Sequence, residues 1–118
     1  MKDYTDITVV LDRSGSMETV KEATINGFDE FVQMQRKQGD NAGLTLVQFD
    51  NEYENVWNGM HIATVPSIKN LYQPRGMTAL LDAIGRTINE TGARLARLPE
   101  SQRPNKVIMV IMTDGFEN

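Results

Sequence analysis

A chain of 118 residues with 40% hydrophobic content and a net charge of -4 fits one compact domain spanning residues 1–118, able to bury about two thirds of the surface its unfolded form exposes. The acidic balance, with a pI near 4.9, argues against the basic stripe of a general nucleic-acid binder, and the lack of cysteine excludes a disulfide framework, a thiolate metal site and a cysteine nucleophile. The longest apolar runs, 7–11 and 107–112, fall far short of the roughly 20 residues that a membrane-spanning helix needs. The first residues carry neither the apolar stretch nor the small-residue cleavage site of a signal peptide, so a cytoplasmic protein without membrane contact is expected.

Residues 7–11 are β-branched and almost continuously apolar, the signature of a central parallel strand covered on both faces. From Met17 to about Gln38, Val20, Ala23, Thr24, Phe28, Phe31, Val32 and Met34 recur at helical spacing with charged residues mostly between them, which predicts an amphipathic helix. Turn residues at 39–43 end it, and 44–49 reads as a second strand. Asp50, Asn51 and Glu52 reverse the chain into a third strand over 53–60, expected to pair antiparallel at the sheet edge. Residues 61–76, broken by Pro66 and Pro74, read as irregular with a short helix around 67–71. A second long helix is predicted over 78–98 from the stripe Leu81, Ile84, Ile88, Leu95 and Leu98. A polar connection at 99–105 then leads to a fourth strand at 106–113. Strands alternating with helices imply right-handed crossovers, a Rossmann-like and mostly parallel α/β sheet, and the strand order 3-2-1-4. In that order the loops after the first and fourth strands open into one crevice, where open α/β sheets keep their ligands.

Both of those loops carry carboxylates. Asp12-Arg13-Ser14-Gly15-Ser16 follows the first strand, with hard oxygen donors at Asp12, Ser14 and Ser16 and a glycine that permits a tight turn. Asp114 ends the fourth strand's apolar run, and Thr78, within Gly76-Met77-Thr78-Ala79-Leu80, stands where the second helix begins. Two carboxylates brought together repel, and a divalent cation removes that cost. The plainer readings are that Ser14, Ser16 and Thr78 cap helices and that Asp114 belongs to a simple turn.

Taken in order, Asp12, Ser14, Ser16, Thr78 and Asp114 resemble the metal-ion-dependent adhesion site of von Willebrand factor type A domains, and the pattern of strands and helices agrees from residue 6 to 118. The resemblance implies that Ser14, Ser16 and Thr78 supply hydroxyl oxygens to Mg2+ (or Mn2+ or Ca2+), with Asp12 and Asp114 acting directly or through water. It further implies that an acidic side chain of a partner protein completes the coordination. Such domains usually continue with further strands and helices beyond the motif at Asp114, so the sequence reads as a C-terminally short relative. Its fourth strand is then expected to present an edge open to self-association.

The expected function is therefore a divalent-metal-dependent protein-binding module and not an enzyme. One alternative is a magnesium-dependent phosphotransfer or hydrolytic enzyme with Asp12 as nucleophile. Ser14 counts against it, because aspartyl-phosphate hydrolases of the haloacid dehalogenase type place a second Asp there. A structural assembly unit with an unused metal site is the other alternative. Among the remaining residues, Arg13 and Arg75 read as solvated surface arginines, His61 as structural, Trp57 as an edge-strand packing residue, and Met17 and Met77 as an apolar rim beside the site.

Overall fold

The computed structural model describes residues 3–39, 41–77 and 79–114. Strands β1 (Thr5–Asp12), β2 (Ala42–Phe49), β3 (Tyr53–His61) and β4 (Lys106–Met112) form one sheet, with helix α1 (Lys21–Gln38) between β1 and β2 and helix α2 (Leu80–Ala96) between β3 and β4. The order is β3-β2-β1-β4, as the sequence predicts. β1 runs parallel to both β2 and β4, while β3 is the antiparallel edge strand, so the α/β sheet is mixed.

Side-chain alternation along β1 assigns the two faces. Ile7, Val9 and Leu11 join Leu44 and Leu46 of β2 beneath Ile25, Phe28 and Val32 of α1, all at most 9% exposed. Trp57 packs on the same cluster, its ring centroid 6.1 Å from that of Phe28, which bears out its reading as a packing residue. On the opposite face, Val10 and Phe49 meet Ala83 of α2.

The two faces differ in how well the sequence pattern foretells them. α2 turns Ala83 and Thr87 inward, whereas Leu81 and Ile88 of the predicted stripe are 70% and 52% exposed. Small side chains allow a close approach to the sheet, and polar ties hold it there: Thr87 Oγ1 lies 2.9 Å from the Tyr53 hydroxyl, and Arg94 pairs with buried Asp6 at 2.8 Å. Val107 and Ile111 of β4 are also exposed on this side of the sheet, and β4 is hydrogen-bonded to β1 alone among the described strands.

The connection after β3 departs from expectation. The short helix forms at Ile62–Thr64, where the His61 Nδ1 accepts from the Ala63 N–H at 3.1 Å, rather than at 67–71, which is a turn closed by the Tyr72 N–H on the Ile68 carbonyl. Pro66 explains the placement, since the residue before a proline is driven toward extended backbone and stops the helix at Thr64. His61 thus has the structural role expected of it. No helix of the described residues is long and apolar enough to cross a membrane.

Candidate metal centre

β1 ends on Asp12, which is fully buried, and the backbone then breaks away into the 3-10 turn Gly15–Val20 that precedes α1. The Asp12 carboxylate is held on both oxygens. Its Oδ1 accepts from the Ser14 N–H at 2.8 Å and the Ser14 hydroxyl at 2.6 Å, while its Oδ2 accepts from the Thr113 hydroxyl at 2.7 Å. Ser16 Oγ lies 3.3 Å from Ser14 Oγ. Four oxygen-bearing side chains from two loops therefore meet at the carboxyl end of the central strands.

These contacts decide what Ser14 does. Ser14 occupies the N-cap position of the 3-10 turn, yet its side chain makes no capping bond, and α1, which starts after Val20, has no side-chain cap either. The hydroxyl is turned to Asp12 instead. Gly15 makes its turn without a left-handed backbone. A Cβ there would stand 3.3 Å from the Gly76 carbonyl, to which the Gly15 N–H donates at 2.9 Å, so the glycine serves close approach of two loops.

Register brings Asp114 toward the same place. Leu11 pairs with Met112 across the parallel β1–β4 ladder, which sets Thr113 beside Asp12 and Asp114 one residue further on. Asp114 is partly buried and, with Thr113, Met112, Met17 and Thr24, lines a cleft of about 300 Å³ along the start of α1. Tyr72 registers both carboxylates. Its buried hydroxyl donates to the Asp12 carbonyl at 2.6 Å, and burial together with the charges of Asp12 and Asp114 pushes the phenol well above its ordinary pKa. Thr78 lies outside the described residues. The N-cap of α2 is Ala79, without a side-chain capping bond.

Beside this oxygen cluster lies an ion-pair chain that the sequence reading missed. Arg13 is only 6% exposed, correcting its assignment to the solvated surface. Its guanidinium reaches Glu54 at 3.0 Å and buried Asp50 at 3.5 Å. Asp50 also pairs with Arg75 Nε at 3.0 Å, and Arg75 extends to Glu52 at 3.4 Å. Burial opposes the Asp50 charge, but the Glu52 N–H and the two guanidinium groups outweigh it and hold the carboxyl below its ordinary pKa. Met17, expected at the rim, is a core residue at 2% exposed, while Met77 is 59% exposed.

Asp12 with Ser14, Ser16 and Thr113 forms an all-oxygen set suited to a hard cation. Among the described residues no three His, Cys, Asp or Glu side chains gather into a metal cluster. The donor chemistry here is carboxylate plus hydroxyl. Searches against protein-family profiles and against curated proteins return no match to this chain.

Proposed function

We propose that the protein is a divalent-metal-dependent protein-binding module of the von Willebrand factor type A kind. The observation that carries this reading is the Ser14 hydroxyl, bonded to the Asp12 carboxylate at 2.6 Å and within 3.3 Å of the Ser16 hydroxyl, where ordinary helix capping would have turned it away. Asp12, Ser14, Ser16, Thr78 and Asp114 would hold the cation. A bound Mg2+ would act as a Lewis acid toward an acidic side chain of a partner protein. The protein's own residues do the rest: Thr113 and Tyr72 fix Asp12 by its Oδ2 and its carbonyl.

The geometry gives less support to a nucleophilic Asp12. An Asp12 nucleophile would need an acid–base partner, and the side chains held against its carboxylate are the hydroxyls of Ser14 and Thr113, which are poor proton-transfer groups near neutral pH. A titration with Mn2+, read by loss of the free-ion resonance, is expected to show one bound ion per chain and none in Asp12→Ala. No hydrolysis of p-nitrophenyl phosphate should accompany it. Ester turnover lost in Asp12→Asn would establish the enzyme reading in its place.

Self-association through β4 is a second mode of binding that one feature favours. The strand reads KVIMVIM, carries no proline and only one charge, and has its outer edge unpaired among the described residues. Natural edge strands are usually blunted by such breaks and charges. Light scattering at rising concentration is expected to show a dimer, and a strict monomer would exclude this mode.

A further inference from the structure

The loop that bears Ser14 and Ser16 and the segment that leads into α2 meet over the β2–β3 turn. The Arg13 N–H donates to the Phe49 carbonyl at 2.6 Å, the Arg75 N–H to the Arg13 carbonyl at 2.6 Å, the Gly15 N–H to the Gly76 carbonyl at 2.9 Å, and the Ala79 N–H to the Asp50 carbonyl at 3.1 Å. Asp50, on the β2–β3 turn, sits between the side chains of Arg13 and Arg75. Its Oδ1 also accepts the Glu52 N–H at 2.7 Å, so the carboxylate cannot swing away from either partner without losing that bond. Gly76 completes the arrangement. It is left-handed at φ +69°, and a Cβ there would stand 2.7 Å from Asn51 Oδ1 and 3.2 Å from Asp50 Oδ2, so any other residue at this position would be strained and would push on the side chains of the turn.

We propose that Asp50 is a positioning residue for the metal centre: through Arg13 and Arg75 it clamps the loop bearing Ser14 and Ser16 to the segment that leads into α2, so that metal affinity depends on a carboxylate outside the ligand set. The proposal rests on the reading of Asp12, Ser14 and Ser16 as a metal site. Its physical basis is preorganisation. A ligand set drawn from separate loops binds a small cation tightly only if the loops are held in register before the ion arrives, and loss of supporting contacts around metal ligands typically costs about 10- to 100-fold in affinity. The clamp has the construction for this. Its central carboxylate and one guanidinium are 2% and 7% exposed, whereas the second guanidinium, on Arg75, is 56% exposed and can be removed without opening the core.

The test is Mn2+ affinity measured on the whole chain for the parent, Asp50→Asn, Arg75→Ala, Asp12→Ala and Val32→Ala, with each variant's thermal midpoint taken in chelator. Val32 is a core residue of α1 and controls for lost stability. Asp50→Asn is expected to weaken Mn2+ binding about tenfold or more, and Arg75→Ala by a smaller factor. Val32→Ala should lower the midpoint and leave the affinity unchanged. Arg75→Lys should recover part of the Arg75→Ala loss, because it restores the cation without the Nε bond. If the parent binds Mn2+ and Asp12→Ala does not, while Asp50→Asn and Arg75→Ala bind as the parent does, the clamp is overturned and the metal site stands. If the parent binds no Mn2+, or Asp12→Ala binds as tightly, the site itself is overturned and the clamp with it. Should Asp50→Asn fail to fold, Arg75→Ala still decides between these results.

Discussion

Saturating Mg2+ or Mn2+ is expected to raise the thermal midpoint of the protein by about 10 °C relative to chelator, and the rise should vanish in Asp12→Ala and in Asp114→Ala. The magnitude follows from linkage. An ion at 100 times its dissociation constant stabilises the folded state by about 2.7 kcal/mol. An unfolding entropy of about 2.1 cal/mol/K per residue, applied to 118 residues, converts that into roughly 11 °C. Asp12→Ala should also be less stable than the parent in chelator. It strips the acceptor from the buried Ser14 N–H and hydroxyl, and orphaned buried donors cost about 1–3 kcal/mol. The two losses separate cleanly, the first in the response to metal and the second in the baseline without it. A midpoint that does not move with millimolar metal would sink the metal-site reading and leave Asp12 as a purely structural carboxylate.

The elements legible in the sequence were those whose pattern is dictated by burial on two sides. β1, enclosed between α1 and α2, shows its run of Ile7, Val9, Val10 and Leu11 directly, and once strands and helices alternate the order β3-β2-β1-β4 has few competitors. α2 was legible as a helix but not in its facing. The large side chains Leu81, Ile84 and Ile88 make the most conspicuous stripe, yet contact with the sheet runs through Ala83 and Thr87, which hydropathy undervalues. The oxygen cluster was half legible. Asp12, Ser14 and Ser16 stand together in sequence, so their convergence needs only one loop. Thr113 and Tyr72 reach Asp12 from 101 and 60 residues away and carry no local signal, though the register of β1 with β4 points to Thr113 once it is known. Arg13 was misread for a related reason. Next to polar residues in a loop an arginine looks solvated, and only the tertiary approach of Asp50 and Glu54 makes its burial tolerable.

Phe28→Ala should have the largest effect on stability of any substitution away from the candidate site. Phe28 is fully buried, stands in the α1 layer over Ile7, Val9, Leu11, Leu44 and Leu46, and meets the Trp57 ring at 54°. Removing a buried phenyl group loses its transfer free energy and leaves a cavity, together about 3–5 kcal/mol. That is a large share of the roughly 5–15 kcal/mol by which a domain is stable. At the entropy used above the midpoint falls by about 12–20 °C. Urea denaturation should show the lower midpoint with the slope unchanged, because the surface exposed on unfolding is nearly the same. Phe28 has no polar group with which to hold Asp12, Ser14 or Ser16, so the variant should keep the parent's rise with metal from its lower baseline. Asp12→Ala and Phe28→Ala therefore form a crossed pair, one losing the response to metal and the other mainly the baseline. A Phe28→Ala variant that lost less than about 1 kcal/mol would mean that α1 does not seal this face of the sheet, since no well-packed core forgives so large a void. One that lost the metal response as well would place the ligand loop's order in the packing of α1, which starts five residues beyond Ser16.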